Sequence, residues 1–193
     1  MDGPLAEHPW VARHTLDVHA CHRMAEAGIL GPEDRVELIE VELVTTAPIT
    51  PLHAGHANRL NRLAILGTGR DVVVSARNPV RLDRHNEPQP DLALLRGRPD
   101  GHAAAHPSPA DVLLLVELSD ASLRYDREVK ARLYARHRVP EYWIVDVAGG
   151  ALERHRDPAP DSYRLVDRFG RGGGTVAPAA LPGLVLRLDE VLG

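Results

Sequence analysis

Apolar positions recur along this chain with two different spacings, and the switches between them outline its elements. Leu16, Ala20 and Met24 lie at helical spacing, with Thr15 as the expected N-cap and Gly28 placed to stop the run, so residues 15–27 predict a short helix. Pro32 then breaks the chain. Residues 36–39 and 42–44 read as a small hairpin, although Glu40-Val41 lacks the Asn-Gly or Asp-Gly chemistry such a turn prefers. A second helix is predicted over 52–66, with Leu60, Leu63, Ala64 and Leu66 as its apolar stripe and Gly67 and Gly69 after it. Runs of β character follow at 72–75, 80–82 and 92–95, the pattern of a meander, and then a loop rich in Gly, Ala, His and Pro over 97–109.

The strongest signal comes next. Residues 112–118 form a continuous apolar run holding one acid, Glu117, as expected of a central strand buried on both faces. Ser119 to Ser122 offer N-cap side chains to a strongly patterned helix over 123–137, which stops before Pro140. Residues 142–147 are another apolar strand, Gly149-Gly150 a turn, and 152–156 with 163–166 an outer hairpin; the three glycines at 172–174 lack the context of a phosphate loop and read as a turn. This order implies a mixed sheet with helices packed on it, an α/β domain bordering on α+β.

Composition narrows the function. A chain of 193 residues that is 44% hydrophobic and 26% charged belongs to the soluble globular class and fits one domain. Cys21 is the sole cysteine, which excludes an internal disulfide framework and any zinc site needing two thiolates, and points to a reducing, cytoplasmic setting. No run of ~18 apolar residues is available to span a membrane. The net charge of −4 argues against coating nucleic acid by bulk electrostatics, although Arg124 to Arg138 carry a local excess of cations. The Lys and Arg total of 23 is all arginine but for Lys130. An ammonium can give up its proton where a guanidinium cannot, so a position that keeps lysine against that bias is a candidate for chemistry.

Should strands 92–95 and 112–118 pair antiparallel, Asp91 and Glu117 meet at one sheet end, on one face by period-two alternation. Two carboxylates so placed need a cation, and hard oxygen ligands are those of Mg²⁺. Lys130 lies eight residues into the following helix, ~12 Å of rise, close enough to reach the acids. Its expected work is to orient or deprotonate an attacking water and to offset phosphoryl charge.

Pro90-Asp91, Val116-Glu117-Leu118-Ser119, the stretch from Asp126 through Lys130 to Tyr134, and Val139 to Asp146 together resemble the Uma family of putative restriction endonucleases, within the PD-(D/E)XK nuclease superfamily. Glu37-Leu38-Ile39, Glu42-Leu43-Val44 and Pro51-Leu52-His53 extend the resemblance upstream. It implies a restriction-endonuclease-like mixed sheet flanked by helices as one domain over 1–193, with 1–14 an extension, 15–50 helix and hairpin, 51–148 the nuclease core and 149–193 C-terminal strands. It further implies Mg²⁺ dependence with Mn²⁺ as substitute, DNA as substrate, Asp91, Glu117 and the Leu118 backbone as metal ligands, and Lys130 as catalytic lysine. The superfamily lysine lies two residues after the acid, where this chain has Ser119, so Lys130 comes from the next helix instead. Departures fall at Glu40-Val41, where Asp-Gly is usual, and at Asp120, where proline is common. Glu37 and Glu42 are additional candidate acids between which the residues do not choose.

Three functions compete: a DNA phosphodiester hydrolase acting as a homodimer, a binding or interaction module that keeps the nuclease fold without cleaving, and a glycosidase using Asp91 and Glu117 as its acid pair. An aromatic content of 4% speaks against the sugar cleft. His53 and His56 share one helix face, but no third zinc ligand accompanies them, and Tyr142 and Trp143 fit a core better than a base-stacking platform.

Overall fold

In the computed structural model, which describes residues 14–31, 33–45 and 48–193, helix α1 spans Val18–Glu26 and is started by Asp17, whose carboxylate accepts the Ala20 amide hydrogen bond at 2.7 Å. The helix begins later than Thr15 because Asp17 reaches an orphan amide of the first turn and adds a charge suited to the helix dipole. The Ala20 amide, and then the Arg84 guanidinium, hold this carboxyl below its usual range. The expected extension at 1–14, except for His14, and the break at Pro32 lie outside the described residues.

The chain forms two compact units, one of Met1–Ala47 with Asp83–Glu87, the other of Pro48–Leu82 with Pro88–Gly193. In the first, β1 (Val36–Ile39) and β2 (Glu42–Thr45) pair antiparallel with Ile39 opposite Glu42. The two-residue connection therefore has a primed geometry, and Glu40 and Val41 both take positive φ, 48° and 69°. The Asn86 side-chain oxygen accepts the Glu40 amide at 2.7 Å and steadies a turn its own residues do not favour.

The second unit is built on one mixed sheet. Helix α2 (Pro51–Gly67) starts at Thr50, whose hydroxyl accepts the His53 amide, with Pro51 in the first helical position where it loses no bond. The strands β3 (Val72–Ser75), β4 (Leu92–Arg96), β5 (Val112–Ser119), β6 (Glu141–Asp146), β7 (Ala151–Pro158) and β8 (Tyr163–Gly170) follow in that spatial order. All neighbours are antiparallel except β5 and β6. A parallel pair needs a long crossover. Here it is a helical stretch made of α3 (Leu123–Tyr125), a π-helical turn (Asp126–Lys130) and α4 (Ala131–Arg136). Two short strands, β9 (Thr175–Val176) and β10 (Leu186–Arg187), and α5 (Leu188–Leu192) complete it.

Every residue of β5 and β6 is buried. Leu92, Leu94, Leu114, Val116, Leu118, Trp143 and Val145 share a core with Leu60 and Ala64 of α2 and Leu188, Val191 and Leu192 of α5. Alternation sends Leu115, Glu117, Tyr142 and Ile144 to the opposite face. There the Tyr134 ring of α4 meets the Tyr142 ring edge-on at 4.9 Å. Tyr142 and Trp143 are thus core residues.

Two expectations need correction. Residues 80–82 are not a strand: Val80 and Leu82 are buried, but the amides of Val80 and Arg81 donate to the carbonyls of Pro88 and Pro107 rather than to a ladder. Leu66 is not part of the α2 stripe, being 73% exposed. It stands two residues from buried Ala64, about 200° around the helix.

The β1–β2 turn yields a stability prediction. A β-branched residue at positive φ is strained, so Val41→Gly should raise stability by about 1 kcal/mol after its own entropy cost. A thermal melt in which the midpoint falls would show that the side chain does more at this turn than strain it.

Candidate active site

The antiparallel pairing expected from sequence is present, with Leu92 opposite Val116 and Ala93 opposite Leu115. One more step of that ladder sets Asp91 across from Glu117. The Asp91 carboxylate is fixed on both oxygens. Oδ2 accepts the Leu118 amide at 2.9 Å, and Oδ1 is hydrogen-bonded to His53 Nε2 at 2.9 Å. The Arg77 Nε stands farther off, 3.7 Å from Oδ1. What Leu118 gives from its backbone here is therefore an N–H that holds an acid.

Lys130 meets the acids from the helical crossover. Its Nζ donates to Glu117 Oε1 at 2.9 Å, and the Tyr134 hydroxyl donates to the same oxygen at 2.9 Å. Lys130 is 4% exposed and Glu117 5%. A buried charge of either sign is costly alone, so each stabilises the other's ionised form. The crossover is pegged to the end of β5 by Asp126, whose Oδ2 accepts from the Ser119 and Ser122 hydroxyls, both at 2.7 Å. Ser119 thus anchors the helix that delivers Lys130.

Helix geometry explains the π-helical turn. Asp126, Lys130 and Tyr134 are spaced by four, and a four-residue step overshoots a 3.6-residue turn by ~40°. Two such steps would carry Tyr134 ~80° off the line. The bond from the Ala131 amide to the Asp126 carbonyl is the wider π type and takes back part of that drift. Both donors then reach one carboxylate oxygen.

Burial raises the Tyr142 phenol well above its usual pKa, and the charges of Asp126, Glu117, Tyr163 and Asp91 add to the effect. It stays protonated beside the acids and donates to the Asp126 carbonyl at 3.5 Å.

The remaining candidates sort clearly. His53 and His56 diverge: His53 binds Asp91, and buried His56 places Nδ1 3.3 Å from the Val191 carbonyl. Glu37 and Glu42 belong to the first unit, where they share one face of the hairpin, Glu37 buried and Glu42 exposed. Sequence reasoning assigned no site role to Arg77 or Tyr134 and left His53 undecided. The available signals were position alone: His53 in the first turn of α2, Tyr134 one turn beyond Lys130.

Removing the hydroxyl that shares Glu117 with Lys130 should be measurable. A hydrogen bond to a charged group contributes about 1.5–3 kcal/mol, so Tyr134→Phe should lose that much stability in urea unfolding with the slope unchanged. A loss within error of zero would mean Glu117 does not need the second donor.

A solved structure described as a putative nuclease belonging to DUF820 from Anabaena variabilis ATCC 29413 aligns with 92% of this chain and 97% of its own at a TM-score of 0.71 and 11% identity, which shows a shared fold. No curated protein matches significantly. No helix among the described residues is long and apolar enough to cross a membrane. The Uma2 family model, described as putative restriction endonuclease, matches residues 19–189, and the chain belongs to that family.

Proposed function

We propose that this protein is a divalent-metal-dependent endonuclease that hydrolyses DNA phosphodiester bonds with Asp91, Glu117 and Lys130. The observation that carries the proposal is the buried Lys130 ammonium on Glu117, next to an Asp91 held in place by the neighbouring strand's amide. Family membership and the nuclease-like fold agree with it.

The donor set fits Mg²⁺. Asp91 and Glu117 offer hard carboxylate oxygens, and each Asp91 oxygen, engaged by one donor at hydrogen-bond distance, keeps a second lone pair. Asp91, Glu117 and the carbonyl oxygen of Leu118 would hold the ion, with Mn²⁺ able to replace it. When bound, such an ion polarises a phosphoryl oxygen and lowers the pKa of water. The chain's own residues do the rest. Asp91 is oriented before substrate arrives, by Leu118 and His53. Lys130 offsets acid charge, orients the attacking water and holds a proton close to the phosphoryl group. Tyr134 keeps Glu117 in place when the lysine turns toward substrate. A cytoplasmic homodimer acting on duplex DNA completes the proposal, since paired cuts use two sites and twofold assemblies are the commonest.

Supercoiled plasmid nicking in Mg²⁺ or Mn²⁺ tests it. Asp91→Asn and Lys130→Ala should each lose about 10²-fold or more, and chelation should abolish cleavage. Lys130→Arg should also fail, since its charge carries no removable proton. Melting curves on each variant separate lost chemistry from lost folding. Full cleavage by both Asp91→Asn and Lys130→Ala would remove the mechanism.

A further inference from the structure

Arg77 stands out among the residues around Asp91, because it is brought there at a conformational cost and then used incompletely. Its backbone has a φ of 56°, a region that side-chain-bearing residues avoid. The turn after β3 is tied locally by the Asn78 side-chain amide on the Ser75 hydroxyl at 3.0 Å. This arrangement directs the guanidinium toward the acid, yet Nε stops 3.7 Å from Oδ1, beyond hydrogen-bond distance, with the side chain 36% exposed. Asp91 is already positioned without it by Leu118 and His53 at 2.9 Å each. Lys130 and Glu117, by contrast, are only 4% and 5% exposed. Arg77 is thus the cation beside the acids that has access to a ligand from outside.

From this we infer that Arg77 is a substrate-binding residue, whose guanidinium takes a non-bridging oxygen of a DNA backbone phosphate next to the scissile bond. The inference rests on the nuclease proposal and specifies how that site engages its substrate. A planar fork of N–H donors matches phosphate geometry, and an arginine only loosely associated with a carboxylate can exchange that partner for a phosphate at small cost. The left-handed backbone is then a strain retained at a binding position.

Fluorescence anisotropy of a labelled DNA duplex, with Ca²⁺ in place of Mg²⁺, tests this on the full chain as wild type, Arg77→Ala, Arg77→Lys and Arg77→Gly. Arg77→Ala and Arg77→Gly should weaken binding about tenfold and reduce the slope of log affinity against log salt by about one, with Arg77→Lys between them and the wild type. Mn²⁺ affinity by electron paramagnetic resonance should be unchanged. Arg77→Gly should melt at or above the wild-type temperature, since glycine accepts the positive φ. Unchanged DNA affinity with weakened Mn²⁺ binding or a lowered melting point would make Arg77 a mere partner of Asp91 and overturn the inference, leaving the nuclease proposal standing. Wild-type protein that neither binds nor cuts DNA would overturn both, and would do so before any variant was made.

Discussion

The arrangement of the second unit depends on one buried ion pair, Lys130 on Glu117. Taking two such charges out of water costs several kcal/mol each, and their attraction repays that only where geometry is good and further hydrogen bonds complete the shell. The Tyr134 hydroxyl on the same oxygen supplies such a bond. Two apolar side chains filling that volume would serve the core about as well, so stability alone gives no reason for ions between β5 and the crossover helix. The proposed phosphoryl chemistry would give one.

That pair also ties local features together. The Asp126 peg fixes where the crossover helix starts relative to β5, and the π-helical turn fixes its rotation. Neither is required by a helix that only has to cover a sheet. Both are required if one carboxylate oxygen must receive donors from positions 130 and 134. Irregular backbone in this unit is found at the π-helical turn and at Arg77, where side chains converge, and non-glycine positive φ occurs at His102, Arg138 and Asp157 as well.

Much of this was legible in the sequence, for reasons that differ by element. Strand β5 was visible because a doubly buried strand has no polar alternation to hide it, and the acid near its end then marked itself. Lys130 was visible as the lone lysine among arginines. His53 was not, because its bond to Asp91 spans 38 residues and nothing local reports a contact between a helix start and a strand start. Arg77 was hidden among 23 cationic residues, and its positive φ is a property of the turn that no residue type announces. The false strand at 80–82 had the composition of a strand but carbonyls of Pro88 and Pro107 as partners. The helix start slipped from Thr15 to Asp17 because two good cap residues stood two apart, and only the fold shows which one reaches an amide.

Register connects the site to the sheet more tightly than any single residue does. Side chains in a strand alternate, so a slip of one residue between β4 and β5 would turn Glu117 into the apolar core and bring Val116 or Leu118 to the face that Lys130 approaches. Three constraints oppose the slip. Both faces of β5 are buried, so neither tolerates the exchange. The irregularity between Leu94 and Leu95 pins the pairing, because a bulge displaced along the strand would misplace its neighbours. Beyond the last ladder pair, Leu92 with Val116, the Asp91 carboxylate accepts the Leu118 amide and continues the pairing with a side chain. An acid of the proposed chemistry thus also closes the end of the ladder, so the alignment that places Glu117 beside Lys130 is the same one that keeps Asp91 bonded.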